Sequence, residues 1–290
     1  MIKDLRTAIA EASDKKVAIG HFNISNIEAF WAVFRAAQEL SVPVLIGVSE
    51  GERDFVGVAQ AAALIASIRA EYDYPIYLNA DHSYSFERVK AAIDAGYDSA
   101  IYDGAKLPRE ENERITKQCV DYARASGRDV LIEAELGYIG QSSKVLTALP
   151  EGVSIDPATF TQPDDAAQFV YATGVDLFAP SVGNIHGMMA TGKDPHLDIP
   201  LIAAVKAAAG VPMVLHGGSG TPDEDFQKAI DAGMSIVHIS TELRVAYKKG
   251  IEESLKENPD EVAPYRLMKK SVENMHAVAL ERLKLFNKIV

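Results

Sequence analysis

The sequence predicts an α/β fold, a (β/α)8 TIM barrel with an additional C-terminal helix, as one domain over residues 1–290. Three observations predict it. Apolar runs of strand length recur near 17–22, 44–48, 75–79, 98–102, 129–134, 175–180, 211–215 and 235–239. Segments with helical periodicity separate them, among them Asn26 to Leu40, Phe86 to Ala95, Glu111 to Ala125, Asp164 to Thr173, Pro200 to Ala209 and Asp223 to Ala232. Glycine follows several of these helices just before the next strand, as in Ala95-Gly96, Thr173-Gly174 and Ala209-Gly210, where a left-handed residue ends a helix at little cost. Strands alternating with helices build a parallel sheet with right-handed crossovers, and eight such units in a chain of 290 residues close into a barrel.

Two insertions interrupt the rhythm, a polar stretch from Gly137 to Thr161 after the fifth strand and Met188 to Asp198 after the sixth. Both fall on the strand-to-helix side, where barrel active sites form, so they read as mobile lids. The stretch from Val262 to Lys288 reads as the extra amphipathic helix, packed on the barrel or on another subunit. Hydrophobic content of 48% with 24% charged residues is that of a soluble globular protein. With 29 basic against 41 acidic residues, net −12, nucleic acid and anionic membrane surfaces are poor partners. Cys119 is the only cysteine, which excludes a disulfide framework and a thiolate metal cluster. The N-terminus carries no basic-then-apolar signal, and no apolar run is long enough to span a bilayer, so the expectation is a cytoplasmic protein.

Three of the seven histidines stand where an apolar run stops: Pro75-Ile-Tyr-Leu-Asn-Ala-Asp-His82, Asp176 through Asn184-Ile-His186-Gly187, and Val211-Pro-Met-Val-Leu-His216-Gly-Gly-Ser-Gly220. A lone histidine at a strand end is ordinarily structural. Three at matching places on strands three, six and seven can converge at one rim, and three nitrogen ligands with an open position suit a catalytic zinc. His21 reads as a cap on the core, His196 as a loop residue and His276 as part of the terminal helix.

Acids at strand ends come next. Asp81, beside His82, is the candidate general acid and base. Asp103 ends strand four, and Glu133 and Glu135 share one face at the end of strand five. Asp103 and Glu135 read as a second metal position or as partners that orient a ligand imidazole. Glu133 reads as a structural hydrogen-bond partner of a loop amide. Gly217-Gly-Ser-Gly220 after strand seven and His238-Ile-Ser-Thr241 after strand eight lie where such barrels bind phosphate with backbone N–H groups and a helix N-terminus.

Over nearly its whole length the chain resembles the class II, metal-dependent ketose-bisphosphate aldolases, the family of fructose-bisphosphate and tagatose-bisphosphate aldolases. The resemblance rests on Phe22-Asn23, Asp81-His82, Asp103-Gly-Ala-Lys-Leu-Pro108, Glu133-Ala-Glu-Leu-Gly137, Thr161-Gln-Pro163, Gly183-Asn-Ile-His-Gly187, His216-Gly-Gly-Ser-Gly220 and Thr241-Glu-Leu243, in that order. It implies that His82, His186 and His216 bind one catalytic Zn2+ and that Asp81 transfers the proton. It matches Asp103 and Glu135 to an alternative or second cation site, divalent or monovalent. It matches Gly187, Gly217, Gly218, Ser219, His238, Ile239, Ser240 and Thr241 to the cradle for dihydroxyacetone phosphate, and Asn23 and Ser49 to further substrate contacts. The implied reaction is aldol cleavage of a phosphorylated ketose to dihydroxyacetone phosphate and an aldehyde, with a homodimer or homotetramer as the assembly.

The sequence departs from the family pattern in places. Ser142 and Ser143 stand where the loop after strand five carries acids, one of which handles the proton on the enediolate carbon; Glu151 is a substitute. His238 replaces an asparagine, and Ala190 stands where a lysine is usual, with Lys193 near. These departures keep an epimerase, an aldolase for another sugar phosphate and a non-catalytic sugar-phosphate-binding barrel as alternatives. A Schiff-base route is poorly supplied, since Lys106 and Lys193 lie in loops.

Overall fold

The computed structural model describes residues 2–192 and 194–290, so Lys193 lies outside the described residues. The strands are β1 (Ile19–Asn23), β2 (Val44–Val48), β3 (Ile76–Ser83), β4 (Ser99–Tyr102), β5 (Leu131–Leu136), β6 (Val145–Leu146), β7 (Leu177–Pro180), β8 (Met188–Met189), β9 (Met213–Leu215) and β10 (Met234–Ile239). The helices are α1 (Leu5–Asp14), α2 (Ile27–Leu40), α3 (Glu50–Val56), α4 (Val58–Tyr72), α5 (Phe86–Ala95), α6 (Arg109–Ala125), α7 (Pro163–Thr173), α8 (Ile199–Ala209), α9 (Asp223–Ala232), α10 (Thr241–Glu257), α11 (Pro264–Leu267) and α12 (Lys269–Phe286). All strands but β6 and β8 close a parallel barrel in the order β1-β2-β3-β4-β5-β7-β9-β10, with β10 returning to β1. This is the predicted (β/α)8 barrel.

The barrel strands are buried on both faces, which is why they read as apolar runs rather than as alternating patterns. The first predicted strand begins two residues late. Val17 N–H donates to Ala12 O, closing a helix the apolar pattern does not announce. That helix, α1, is capped by the Asp4 carboxylate, which accepts from Thr7 N–H at 2.7 Å. Its Leu5, Ala8, Ile9 and Ala12 cover the lower end of the barrel against Ile19, Leu45, Tyr77, Leu177 and Ile236. The lower end of the barrel is therefore covered by α1, and the clustered histidines and carboxylates lie at the opposite rim.

The extra C-terminal helix packs on its own barrel. Met275, Ala279, Leu283 and Phe286 of α12 are buried, and α12 lies against α2 and α10. The two insertions after β5 and β7 pair with each other: Val145 and Leu146 run parallel to Met188 and Met189 in a two-stranded sheet. Over β3 and β4 the register slips, with Ala80 opposite Ala100 but Ser83 opposite Tyr102. The extra residue is a bulge at Asp81-His82, the kind that re-aims side chains at barrel rims.

Candidate metal centre and active site

The bulge at the end of β3 turns His82 into the barrel mouth with φ of +91°. A histidine in the left-handed region costs on the order of 1–3 kcal/mol and persists only where its surroundings hold it. There its ring meets those of His216, at the end of β9, and His186, in the loop after β7. The ring centroids are 4.8 Å apart for His82 and His216, 5.1 Å for His82 and His186, and 5.6 Å for His186 and His216. One nitrogen from each ring lies within 4.8 Å of the others. His82 Nε2 faces His216 Nδ1 at 3.1 Å. Two nitrogens bound to one tetrahedral zinc lie about 3.3 Å apart, so the rings already stand near ligand spacing.

The remaining nitrogen of each ring has its own partner. His82 Nδ1 lies 3.1 Å from Asp103 Oδ2, His186 Nδ1 is 2.7 Å from the Gly140 carbonyl, and His216 Nε2 is 2.6 Å from Glu133 Oε1. An imidazole that donates its N–H backward to a carboxylate or carbonyl presents its other nitrogen as a lone pair, the arrangement of metal-ligating histidines. Burial is the main cause that drives His186 and His216 down to about 3, so both are neutral, as ligands must be. Burial also opposes charge on His82, but Asp81, Asp103 and Glu135 outweigh it and raise that ring to about 10. A divalent cation held by His82, His186 and His216 would take the place of the extra proton that these carboxylates favour on His82, so the donor set fits one such cation with carboxylates behind it.

Glu133 corrects the expectation of a loop-amide partner: its carboxyl is bonded to the ligand-position ring of His216, not to a backbone N–H. Glu133 and Glu135 do both face inward and are buried. Burial pushes Glu135 well above the usual carboxylate range, with Asp103 adding to it, and its Oε2 has no hydrogen-bond partner. Asp103 stands behind His82 and also accepts from Ala105 N–H at 3.1 Å. Among the described residues no three ligand-type side chains gather around Asp103 or Glu135. The orienting reading therefore fits Asp103 better than a second metal position does.

Asp81 is the other group at the bulge. Asn23 Nδ2 donates to its Oδ2 at 2.8 Å, while its Oδ1 makes no hydrogen bond, lying 3.4 Å from His238 Nδ1 and 3.6 Å from His82 Nε2. Burial works against the charged form, but His82, His238 and His21 hold the Asp81 carboxyl well below its ordinary range. An ionised, buried carboxylate with one open oxygen is equipped to accept a proton.

His21 is fully buried inside the barrel and does not line the cavity, as its reading as a core cap expects. Its ring stacks on that of His238 at 3.4 Å, nearly parallel, beneath Asp81. His196 and His276 remain outside the site, paired with Asp225 at 2.8 Å and Glu39 at 3.4 Å.

Above these groups opens a cavity of about 530 Å³. Asn23, Ser49, Asp81, the three clustered histidines, Gly187, Gly217, Gly218, Ser219, His238, Ser240 and Thr241 all line it. Ile239 does not; it is a fully buried β10 residue facing the hydrophobic core. At the cradle, Ser219 Oγ accepts from the N–H groups of Ser240 and Glu242, each at 3.2 Å, at the start of α10. Ser240 Oγ is buried without a partner. Gly217 has φ of +65°, and a Cβ there would lie 2.1 Å from the Ile185 carbonyl oxygen, so only glycine lets the two loops close.

Residues that sequence reasoning missed also line the cavity. Glu50, Lys144 and Arg244 bring charge to its mouth, and Gln141 joins Ser142 and Ser143 there. Arg244 Nη2 donates to Glu52 Oε1 at 2.7 Å, and Glu52 Oε2 accepts from Asn23 at 3.0 Å. Nothing in a charged, short helical segment such as Glu50-Gly-Glu-Arg-Asp signals that it turns inward. Glu151, the substitute acid, is exposed and away from the cavity lining. Among the described residues no lysine lies on a barrel strand, and Lys144, in the insertion after β5, is the lysine that lines the cavity.

Comparison with known proteins agrees with this geometry. The profile of the family described as "Fructose-bisphosphate aldolase class-II" matches residues 3–289. The chain is 34% identical over 285 residues to the fructose-bisphosphate aldolase of Geobacillus stearothermophilus, covering 97% of this chain and 96% of that protein. It is 33% identical over 267 residues to a fructose-bisphosphate aldolase of Staphylococcus epidermidis, covering 91% of this chain and 90% of that one. The crystal structure of the YdjI aldolase from Escherichia coli K12 superposes with a TM-score of 0.82 at 32% identity, over 99% of this chain and 97% of that one. Matched from end to end in sequence and in fold, the chain belongs to the class-II fructose-bisphosphate aldolase family and is an aldolase, a carbon–carbon lyase.

Proposed function

We propose that this aldolase cleaves and re-forms a carbon–carbon bond of a phosphorylated ketose, with dihydroxyacetone phosphate as one product. The proposed catalytic cation is zinc, held by His82, His186 and His216. The observation that carries the proposal is the convergence of three imidazoles, each backed by a separate acceptor, beside an ionised carboxylate with an open oxygen. A divalent cation there supplies Lewis-acid stabilisation of the negative charge left when the bond breaks. Asp81 Oδ1 takes the hydroxyl proton on cleavage and returns it on condensation. Asn23 holds the other oxygen, leaving Oδ1 between the His238 and His82 rings in a residue that lines the cavity. Asp103, Glu133 and the Gly140 carbonyl keep the three rings in one tautomer and one orientation.

The phosphate is assigned to Gly187, Gly217, Gly218, Ser219, Ser240 and Thr241, where backbone N–H groups and the N-terminus of α10 favour an anion. Ser49 and His238 are assigned to the substrate hydroxyls, while Ile239 serves only as core behind the loop. One cation suffices for this scheme; Asp103 and Glu135 are not assigned a second. Besides Asp81, Glu50 is the one acid among the described residues lining the cavity, so Ser142 and Ser143 leave the enediolate carbon without a loop acid. That departure keeps an aldolase for another sugar phosphate, or an epimerase that breaks and re-forms one bond, as the alternative to a fructose-bisphosphate aldolase.

Metal analysis coupled to a screen of phosphorylated ketoses, scored by release of dihydroxyacetone phosphate, tests the scheme. Zinc near one per chain with release from at least one ketose supports it; metal-free protein with full activity refutes it. Deuterium exchange at C3 of dihydroxyacetone phosphate separates the readings further, because exchange without cleavage favours the epimerase. Homodimer or homotetramer assembly is proposed from the family alone, since α12 is occupied within its own barrel, and light scattering decides it. Among the described residues no helix is long and apolar enough to cross a membrane. A single buried cysteine suits a reducing compartment, and cytoplasmic residence is proposed on that ground.

A further inference from the structure

Arg53, on α3, is 1% exposed, and its hydrogen bonds go to three carbonyls and a hydroxyl rather than to a carboxylate. Its donors serve the ends of β2 and β3. Nη1 donates to the carbonyls of Val48 at 2.6 Å and Asp81 at 2.9 Å. Nη2 donates to the His82 carbonyl at 3.2 Å and to Ser83 Oγ at 2.8 Å. Three of these acceptors, the Asp81 and His82 carbonyls and Ser83 Oγ, span the bulge where β3 slips against β4 and where His82 adopts φ of +91°, while the Val48 carbonyl ties the same guanidinium to the end of β2. A bulge takes its carbonyls out of the regular ladder, and a buried carbonyl needs another donor. Of the side chains, only guanidinium offers donors in a rigid planar fork wide enough to serve several acceptors at once.

A buried cation kept only for stability would ordinarily be matched by a carboxylate. This one is matched by main-chain oxygens of the residue with the open carboxylate oxygen and of the first histidine in the cluster. We propose that Arg53 is a positioning residue, clamping the Asp81-His82 bulge so that the His82 ring meets those of His186 and His216. The proposal rests on the reading of His82 as a metal ligand.

The test compares wild type, R53K and R53M as zinc-loaded protein, with H82A taken through the same zinc loading, and folding checked by circular dichroism and thermal melting. Three quantities are measured: the rate of zinc transfer to a chromogenic chelator, the visible absorption of the cobalt-substituted protein, and kcat and KM with fructose 1,6-bisphosphate as the probe. In R53K and R53M, zinc should leave about 10–100-fold faster, the range for losing an outer partner of a metal site. The cobalt bands should shift, and kcat should fall by a similar factor with KM changed less than about twofold, because the phosphate cradle is untouched. A purely structural role would lower the melting temperature without moving the cobalt bands.

Wild-type zinc release and cobalt absorption in either folded variant would overturn the proposal. If R53M does not fold, R53K decides, since one ammonium can reach only part of the acceptor set. H82A separates the two levels of inference. Zinc lost in H82A but kept in the Arg53 variants sinks the clamp alone, whereas zinc kept in H82A sinks the ligand reading and the clamp with it.

Discussion

Asn23 and Asp81 share a hydrogen bond of 2.8 Å that occupies one carboxylate oxygen of Asp81 and leaves the other, buried, facing only the rings of His238 at 3.4 Å and His82 at 3.6 Å. The amide is itself held from behind, through Glu52 to Arg244 at the cavity mouth. The position of Asp81 is thus set by a chain of side chains from three separate elements, while His82, His238 and His21 hold its carboxyl low.

Asp81→Asn should keep zinc bound and lower kcat by at least about 10²-fold, the lower end of general acid–base contributions. Asn23→Ala should lower kcat less, because it frees the carboxylate without removing it. Steady-state kinetics on metal-replete protein reads both, and wild-type turnover in D81N removes Asp81 from the chemistry.

His82→Ala and His216→Ala should each lose zinc on dialysis, measured by elemental analysis. Glu133→Leu, which removes only the acceptor behind His216, should weaken zinc by about 10–100-fold while Glu133→Gln retains part of the affinity through its amide oxygen. Equal zinc affinity in E133L and wild type would show that the 2.6 Å contact does not tune the ligand.

Gly217→Ala places a methyl group where the Ile185 carbonyl stands and asks for a left-handed alanine. The loop must then part from its neighbour. The expected outcome is a KM for the phosphorylated substrate raised about tenfold, equivalent to ~1.4 kcal/mol of binding, with zinc content unchanged. A KM within twofold of wild type would mean that the cradle does not need this close approach.

Cys119 is fully buried, and burial, with a smaller contribution from Glu87, pushes its thiol up to about 12. The folded state therefore favours the neutral thiol more than the unfolded state does. That contribution is complete below the ordinary value of 9.0 and is lost as pH rises through the interval toward 12. Cys119→Ser should flatten the decline in melting temperature across this interval. The native thiol should also resist a disulfide reagent at pH 8 until denaturant is added; rapid native reaction would contradict its burial.

The order of elements was legible in the sequence because strands buried on both faces leave apolar runs and helix ends leave glycines. His82, His186 and His216 were legible for the same reason, each marking the point where a run stops. The partners behind them were not. Glu133 reaches His216 across 83 positions of sequence, and Glu133 looks the same in a chain whether its acceptor serves an amide or an imidazole. His21 and His238 meet because β1 closes the barrel against β10, a contact that exists only once the sheet returns on itself.

The amino-acid sequence by itself determined the barrel, the family and the three ring positions, since these depend on local periodicity and on which residue ends each strand. Tertiary structure alone decided which oxygen of Asp81 stays open, which carboxylate backs which imidazole, and that Arg53 turns inward beneath the bulge. The physical reason is that hydrogen-bond partners and desolvation are properties of neighbours in space, and barrel closure chooses those neighbours from elements far apart along the chain.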